Sequence, residues 1–222
     1  YQNLYNKINA NFSKQTGLKK TLIDRTIYLG KKILKKQDLR FYEKVQNFIC
    51  QALVRKKIHK QFGGNLQAFV SGGGALDKNV GEFLNAVGLP TLQGYGLTET
   101  SPVVSCNLPG DIKVDTVGPP FKTNQVKIAD DGEILVKGEN VMLGYWNKSK
   151  ETNEVLKDGW LYTGDIGEID SNGYLKITDR KKDIIVNHGG DNISPSKIEN
   201  LFCNNEKIKQ CLVYGDKKNY LV

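Results

Sequence analysis

LQAFVSGGGALDKNVGEFLNAVGLPTLQGYGLTETS, residues 66–101, sets two short apolar runs on either side of a helical stretch. The first run, Leu66-Gln67-Ala68-Phe69-Val70, is rich in β-formers and breaks at once into Ser71-Gly72-Gly73-Gly74. Asp77 is placed to cap a helix that runs through Val87 and ends at Gly88. Thr91-Leu92-Gln93 is a second short strand, opening into Gly94-Tyr95-Gly96-Leu97-Thr98-Glu99-Thr100-Ser101. Strand, helix and strand at this spacing form a βαβ unit with a parallel sheet. Ligands of such sheets sit beyond the carboxyl ends of the strands. Both glycine-rich loops lie at such ends.

Outward from this unit the pattern changes in both directions. Residues 1–62 are helical in period. Leu22, Ile23, Ile27, Ile33 and Leu34 recur at helical spacing between lysines. A second helix is expected from about Leu39 to Phe62, with Phe41, Val45, Phe48, Ile49, Ala52 and Leu53 as its apolar stripe and Gly63-Gly64 as its end. Beyond Val114 the chain turns to short strands. Val126–Ala129 and Glu133–Lys137 flank Asp130-Asp131-Gly132, a hairpin signal. Asn147 is placed to cap a short helix, Lys148–Leu156. Trp160–Tyr162, Ile166–Asp170 and Tyr174–Thr178 are expected strands, followed by Ile184–Val186. A helix begins near Ser194-Pro195, where Pro suits the first turn. Ile208–Tyr214 and Tyr220–Val222 are the last expected strands. The fold class is a mixed α/β (α+β) one. It comprises part of a parallel βαβ layer with N-terminal helices, a small β-rich subdomain, and the start of a small α+β C-terminal domain.

The totals bound the function. The 222 residues are ordinary for a globular chain, with 39% hydrophobic and 25% charged residues. No run reaches the roughly 18 apolar residues of a membrane helix. The opening YQNLYNKINANF has no apolar leader segment, and its first residue, Tyr1, leads us to expect a piece of a longer protein. Cys50, Cys106, Cys203 and Cys211 have no metal-binding spacing and lie far in sequence from His59 and His188. Reduced, mostly buried thiols of a cytoplasmic protein are expected. The net charge of +8 is uneven: residues 1–60 carry fifteen Lys/Arg against three Asp/Glu. Such a basic half suits an anionic membrane, or is simply a solvated helical face. Aromatic residues are not interleaved with the charges as stacking platforms, so nucleic acid is not expected.

Single residues carry the chemistry. Gly72, Gly73 and Gly74 let backbone N–H groups approach a ligand, although a strand-to-helix turn also uses glycine for steric reasons. Tyr95 between Gly94 and Gly96 offers a ring face to a base. The Thr98 hydroxyl can bond a phosphate, and Glu99 can hold Mg²⁺ together with substrate phosphates. Lys157–Gly190, KDGWLYTGDIGEIDSNGYLKITDRKKDIIVNHGG, adds Asp165 after a glycine turn and the charged knot Asp179-Arg180-Lys181-Lys182-Asp183. A carboxylate accepts vicinal ribose hydroxyls, and an arginine fork suits phosphate or ribose oxygens. Each alone is as readily a surface ion pair. In this order they describe a nucleotide site, and the knot is the expected domain boundary.

These blocks resemble the adenylate-forming superfamily, and within it the long-chain fatty acyl-CoA synthetases. The resemblance rests on Ser71-Gly72-Gly73-Gly74-Ala75-Leu76, on Gln93-Gly94-Tyr95-Gly96-Leu97-Thr98-Glu99-Thr100, on Gly159-Trp160-Leu161-Tyr162-Thr163-Gly164-Asp165, and on Thr178-Asp179-Arg180-Lys181-Lys182-Asp183 with Gly189-Gly190-Asp191-Asn192-Ile193-Ser194-Pro195. It implies ATP or AMP, Mg²⁺ and CoA, with a fatty acid as substrate. By resemblance, Tyr95 stacks on adenine beside Gln93 and Gly94, Thr98 binds the α-phosphate, and Glu99 holds the metal. Asp165 binds ribose, Arg180 ribose or phosphates, and Lys182 is the hinge. Gly72–Gly74 border the acyl pocket, and Gly189 and Gly190 approach the pantetheine arm. Residues 1–179 are then the end of the large domain and 180–222 the start of the small mobile one. The family's phosphate loop is expected before residue 1 and its catalytic lysine beyond Val222. Asp191 stands where the family often has Lys. The isolated chain is expected to be inactive. A ligase acting on other acids or forming acyl-adenylates for a carrier, and a non-catalytic remnant that binds nucleotide, acyl chain or membrane, are the alternatives.

Overall fold

A computed structural model describes residues 1–186, 189–203, 205, 207–215, 218 and 220–222, leaving aside the side chains of Asn192, Lys197 and Asn200. His188 lies outside the described residues. The chain divides into two compact units, Tyr1–Gly96 with Val103–Pro119, and Leu97–Pro102 with Pro120–Val222.

The first unit opens with three helices, α1 (Gln2–Ser13), α2 (Gly17–Leu34) and α3 (Phe41–Cys50). A π-type turn over Gln51–Arg55 joins α3 to α4 (Lys56–Gln61). Strand β1 (Phe69–Ser71), helix α5 (Lys78–Ala86) and strand β2 (Thr91–Gly96) follow, and β3 (Val103–Cys106) completes a three-stranded sheet. The βαβ reading holds. β1 and β2 are parallel, with Phe69 opposite Thr91 and Ser71 opposite Gln93. Asp77 caps α5 by accepting the Val80 N–H at 3.0 Å, and Gly88 leaves the helix in the left-handed region. The core gathers Val54, Ile58, Val80, Phe83, Leu84, Val87 and Leu89, with Tyr5 and Phe12 of α1 against Phe83.

The helix expected over 39–62 forms, but its apolar stripe faces the other way. Phe41 and Phe48 are 84% and 76% exposed, and Val45, Ile49 and Leu53 are also exposed. The buried side carries Glu43, Cys50, Val54 and Ile58. Both faces of α3 are partly apolar, so periodicity could not select between them, and polar contacts did. Glu43 accepts from Lys32 Nζ at 2.8 Å and from the Arg40 N–H at 3.0 Å, with Arg25 at 3.4 Å. Buried Arg55 donates to the Thr26 and Ala86 carbonyls and to Asn47 Oδ1. Both buried charges of this seam, Glu43 and Arg55, therefore have partners. Gly30 lets α2 approach α5: a Cβ there would fall on the carbonyl and Cα of Ala86. Alanine is the better helix former by about 1 kcal/mol, but such overlap outweighs that gain.

The second unit is built on a five-stranded sheet. Its strands are β4 (Asn124–Ile128), β5 (Glu133–Gly138), β6 (Leu156–Lys157), β7 (Trp160–Ile169) and β8 (Leu175–Arg180), and α6 (Ser149–Val155) precedes β6. The order is β4-β5-β7-β6, with β8 also on β7. Ile134, Val136, Leu161 and Leu175 are its buried core. The hairpin over Asp130–Gly132 is as expected. The two strands expected at Trp160–Tyr162 and Ile166–Asp170 are one strand, β7, with a bulge between them. Asn147 does not cap α6. It adopts a positive φ of 52°, and the helix begins after Lys148 without a side-chain cap. Then come β9 (Ile185–Val186), antiparallel to β10 (Asn192–Ile193), and α7 (Pro195–Cys203), which starts at proline as expected. Ile208–Tyr214 and Tyr220–Val222 are not strands. A reciprocal pair of bonds joins Tyr214 and Val222. The thiols are free but not mostly buried: Cys50 is buried and Cys203 exposed.

Lys32, the Arg40 N–H and Arg25 hold the Glu43 carboxyl below the usual carboxylate range. A folded-state value below the unfolded one, about 4.3, gives stability that is present above pH 4–5 and lost as pH falls through the folded value. Urea melts of this chain between pH 6 and pH 2.5 should show a steeper loss of stability than those of Glu43→Gln. Parallel acid limbs for the two proteins would contradict the assignment.

Candidate functional site

The βαβ unit brings two of the quoted blocks together. Ser71 and Gln93 are register partners on the parallel strands β1 and β2, so Gly72–Gly74 and Gly94–Gly96 leave the sheet at neighbouring carboxyl ends. Gly72 stands beside the Gly94 carbonyl, 4.0 Å from where a Cβ would project. Gln93 is buried, and its side chain is committed to the backbone: Oε1 accepts from the Leu76 N–H at 3.2 Å, and Nε2 donates to the Val114 carbonyl. Tyr95 is also buried, at 7% exposure, so its glycine neighbours do not leave its ring open to solvent.

The second unit holds a cleft of about 690 Å³, within the usual range for small-molecule sites. Leu97, Glu99, Tyr145, Thr163, Gly164, Asp165, Arg180 and Lys182 are among its lining residues. Thr98–Thr100 form one 3₁₀ turn, closed by the Leu97 N–H donating to Thr100 Oγ1 at 2.9 Å. Thr98 is exposed and Glu99 half-buried. Glu99 is held twice from one loop: its carbonyl accepts the Met142 N–H, and its Oε1 accepts the Tyr145 hydroxyl, both at 2.8 Å. Burial, and then the Glu99 carboxylate, push the Tyr145 phenol upward in pKa, so it remains a donor. No cluster of three His, Cys, Asp or Glu that could cage a metal occurs among the described residues. Glu99, one of the carboxylates that line the cleft, fits Mg²⁺ that arrives on substrate phosphates better than a resident ion.

Asp165 and Arg180, fifteen positions apart, are direct partners across β7 and β8. Arg180 Nε donates to Asp165 Oδ1 at 3.3 Å. The carboxylate is 5% exposed, while the Arg180 side chain is 67% exposed. Asp165 owes its place to the bulge. Glu133 faces Ile166 and Leu135 faces Tyr162, so two steps on β5 span four on β7. Thr163-Gly164-Asp165 fills the excess, with Gly164 at φ +74°. Nothing lies within 4 Å of a Cβ built on Gly164, so its backbone conformation, not crowding, calls for glycine.

Three residues of this neighbourhood were not singled out from sequence. Tyr145 lies in none of the motifs read from the sequence. Glu133 looked like the first residue of a strand, and Lys181 like one charge in a knot. Lys181 reaches Asp131 Oδ2 at 2.6 Å and Glu133 Oε2 at 2.8 Å, across about fifty residues of chain. No local pattern carries such a pairing. Lys182 lines the cleft and is exposed. Gly189 and Gly190 are exposed between β9 and β10 and are not lining residues of the cleft.

The family model described as AMP-binding enzyme matches residues 31–146. The long-chain-fatty-acid--CoA ligase FadD15 of Mycobacterium tuberculosis is 42% identical over 178 residues, 80% of this chain and 30% of that protein. Human long-chain-fatty-acid--CoA ligase 1 is 35% identical over 222 residues, 94% of this chain and 32% of that protein. Among solved structures, O-succinylbenzoate CoA synthetase from Bacillus subtilis with ATP and magnesium ion aligns with a TM-score of 0.62 at 28% identity, covering 75% of this chain and 39% of that one. The chain thus spans about a third of the length of the curated relatives it matches. With a family match over more than half its length, it belongs to the AMP-binding enzyme family.

Proposed function

We propose that these 222 residues are part of a long-chain fatty acid–CoA ligase. In the first half-reaction a fatty acid carboxylate oxygen attacks the α-phosphorus of ATP and pyrophosphate leaves. In the second, the CoA thiol, losing its proton, attacks the acyl carbon and AMP leaves. Such catalysis is chiefly positioning and charge stabilisation. The observation that carries the reading is the Asp165–Arg180 pair on the wall of the cleft that Glu99 also lines. A buried carboxylate beside an exposed guanidinium suits a ribose and its phosphates.

In this reading Asp165 takes the ribose hydroxyls and Arg180 the ribose or phosphate oxygens. Thr98, exposed on its turn, bonds the α-phosphate, and Glu99 takes Mg²⁺, its orientation fixed by Tyr145. Tyr95 lies against adenine. The buried Gln93 lies beside it with Gly94 and Gly96 and supports the loop, since its side-chain amide and its carbonyl are already committed. Gly72, Gly73 and Gly74 border the acyl chain, and Gly189 and Gly190 the pantetheine arm of CoA. Lys182 is the pivot between the large domain and the small mobile one. The protein works in the cytoplasm.

A chain about a third of its relatives' length is proposed not to complete the reaction alone. An ATP-dependent thioester assay with fatty acids of graded length checks both points. The 222-residue chain should give no acyl-adenylate. In a protein of the relatives' length containing this sequence, Asp165→Ala should raise the KM for ATP about ten- to a hundredfold, the worth of a charge-assisted hydrogen bond. An unchanged KM would remove the ribose role.

Peripheral contact with an anionic membrane is the second proposal, favoured by the outward apolar face of α3. Phe41, Val45, Phe48 and Ile49 are exposed there, in a segment rich in lysine. Among the described residues no helix is long and apolar enough to cross a membrane. Sedimentation with phosphatidylglycerol vesicles should capture the chain at low salt and release most of it at about 0.5 M, where charges are screened. Binding that is absent or indifferent to salt would leave this face to another polypeptide.

A further inference from the structure

Glu133 belongs to none of the quoted blocks, yet it is a tightly held carboxylate. It is 4% exposed, and both its oxygens are engaged. Oε1 accepts the Gly164 N–H at 2.8 Å, and Oε2 accepts Lys181 Nζ at 2.8 Å. The Gly164 carbonyl in turn accepts the Lys181 N–H at 2.8 Å. One peptide of the bulge, the residue before Asp165, is therefore held on both sides by a single pair, Glu133 and Lys181. Around it, Thr163 Oγ1 donates to the Ile134 carbonyl at 2.7 Å and accepts the Asp165 N–H at 3.1 Å, and the Gly167 N–H donates to the Gly132 carbonyl at 3.0 Å.

Lys181 has a further partner in Asp131, which is itself fixed by accepting the Glu133 N–H. The two carboxylates raise the Lys181 pKa well above the ordinary lysine range, Asp131 contributing most, so the ammonium is permanent. A buried carboxylate stripped of such a partner is strongly destabilised. Lys181 is thus tied by both its backbone and its side chain, whereas Lys182 has no hydrogen bond or ion pair among the described residues.

We propose that Glu133 is a positioning residue for Asp165, and that the Glu133–Lys181 pair ends the fixed part of the chain at Lys181. The inference rests on the reading of Asp165 as the ribose ligand and of Lys182 as the pivot, and it adds what sets both. The bulge is presented in its binding shape before nucleotide arrives, because a buried charge that needs two donors takes one of them from the bulge itself. The same charge holds Lys181, so rotation about the hinge begins no earlier than residue 182. Glycine-turn geometry and hinge position thereby share one anchor, Glu133, which lines the cleft with both oxygens already engaged.

The test combines kinetics of a protein of the relatives' length with amide exchange of the 222-residue chain. Glu133→Ala should raise the KM for ATP roughly tenfold with the KM for fatty acid within twofold, since a lost hydrogen bond at a ligand's support is felt on that ligand. Glu133→Gln, which keeps an acceptor for the Gly164 N–H, should recover most of that loss. Lys181→Met should raise the KM for ATP too, and less so when combined with Glu133→Gln, which removes the stranded charge. In the 222-residue chain, Glu133→Ala should speed exchange of the Gly164 amide at least tenfold while that of Val136 stays unchanged. If Glu133→Ala proves unfolded, the Glu133→Gln and Lys181→Met pair decides alone: strictly additive effects overturn the anchor. An ATP KM unmoved by Glu133→Ala, with Asp165→Ala still impaired, overturns the positioning role and spares the ribose reading. An ATP KM unmoved by Asp165→Ala overturns both, whatever the exchange of Gly164 shows.

Discussion

A carboxylate that is 4% exposed must find its hydrogen bonds inside the protein, because the cost of leaving it unpaired exceeds that of almost any local rearrangement. Glu133 meets this demand by taking the Gly164 N–H and the Lys181 ammonium. The bulge in β7, the burial of Asp165 and its pairing with Arg180 are built around the peptide held in that position. The β-rich unit is thereby more than a scaffold of alternating strands. Its apolar core of Ile134, Val136, Leu161 and Leu175 is stabilised by burial, and the polar seam lies where the sheet is interrupted.

The helical unit uses the same device. Glu43 is buried and takes Lys32, Arg25 and the Arg40 N–H, and Arg55 is buried among carbonyls. These polar seams explain where reading by period went astray. Helix α3 carries apolar residues on two sides, and an amphipathic template selects the richer one, Phe41, Val45, Phe48 and Ile49. The structure turns that side outward because the other side carries the charge that α2 can satisfy. Glu133 and Lys181 are forty-eight residues apart, and Lys32 and Glu43 lie on different helices, so no single periodic segment pairs either couple.

What was legible was local. The βαβ unit announced itself through β-formers, Asp77 as a cap and Gly88 as a stop, and the register of Ser71 with Gln93 follows from it. Asp130-Asp131-Gly132 gave its hairpin, and Pro195 its helix start. Asp165 and Arg180 were chosen from sequence by residue type and turn context, and they stand as cross-strand partners on one cleft. Tyr95 and Gln93 were chosen the same way, but their burial assigns them a more internal place than an open loop suggested. Asn147 failed as a cap because a left-handed residue cannot begin a helix in the usual manner.

Asp165, preset by Glu133, is proposed to read the ribose of a nucleotide. The most direct measurement is the affinity of a protein of the relatives' length for ATP and for 2′,3′-dideoxy-ATP, compared in the wild-type sequence and in Asp165→Ala. The account predicts that the wild type prefers ATP by roughly tenfold or more, the value of hydrogen bonds to an ionised acceptor, and that the preference collapses in the variant. Equal affinities in the wild type, or a preference that survives Asp165→Ala, would contradict it.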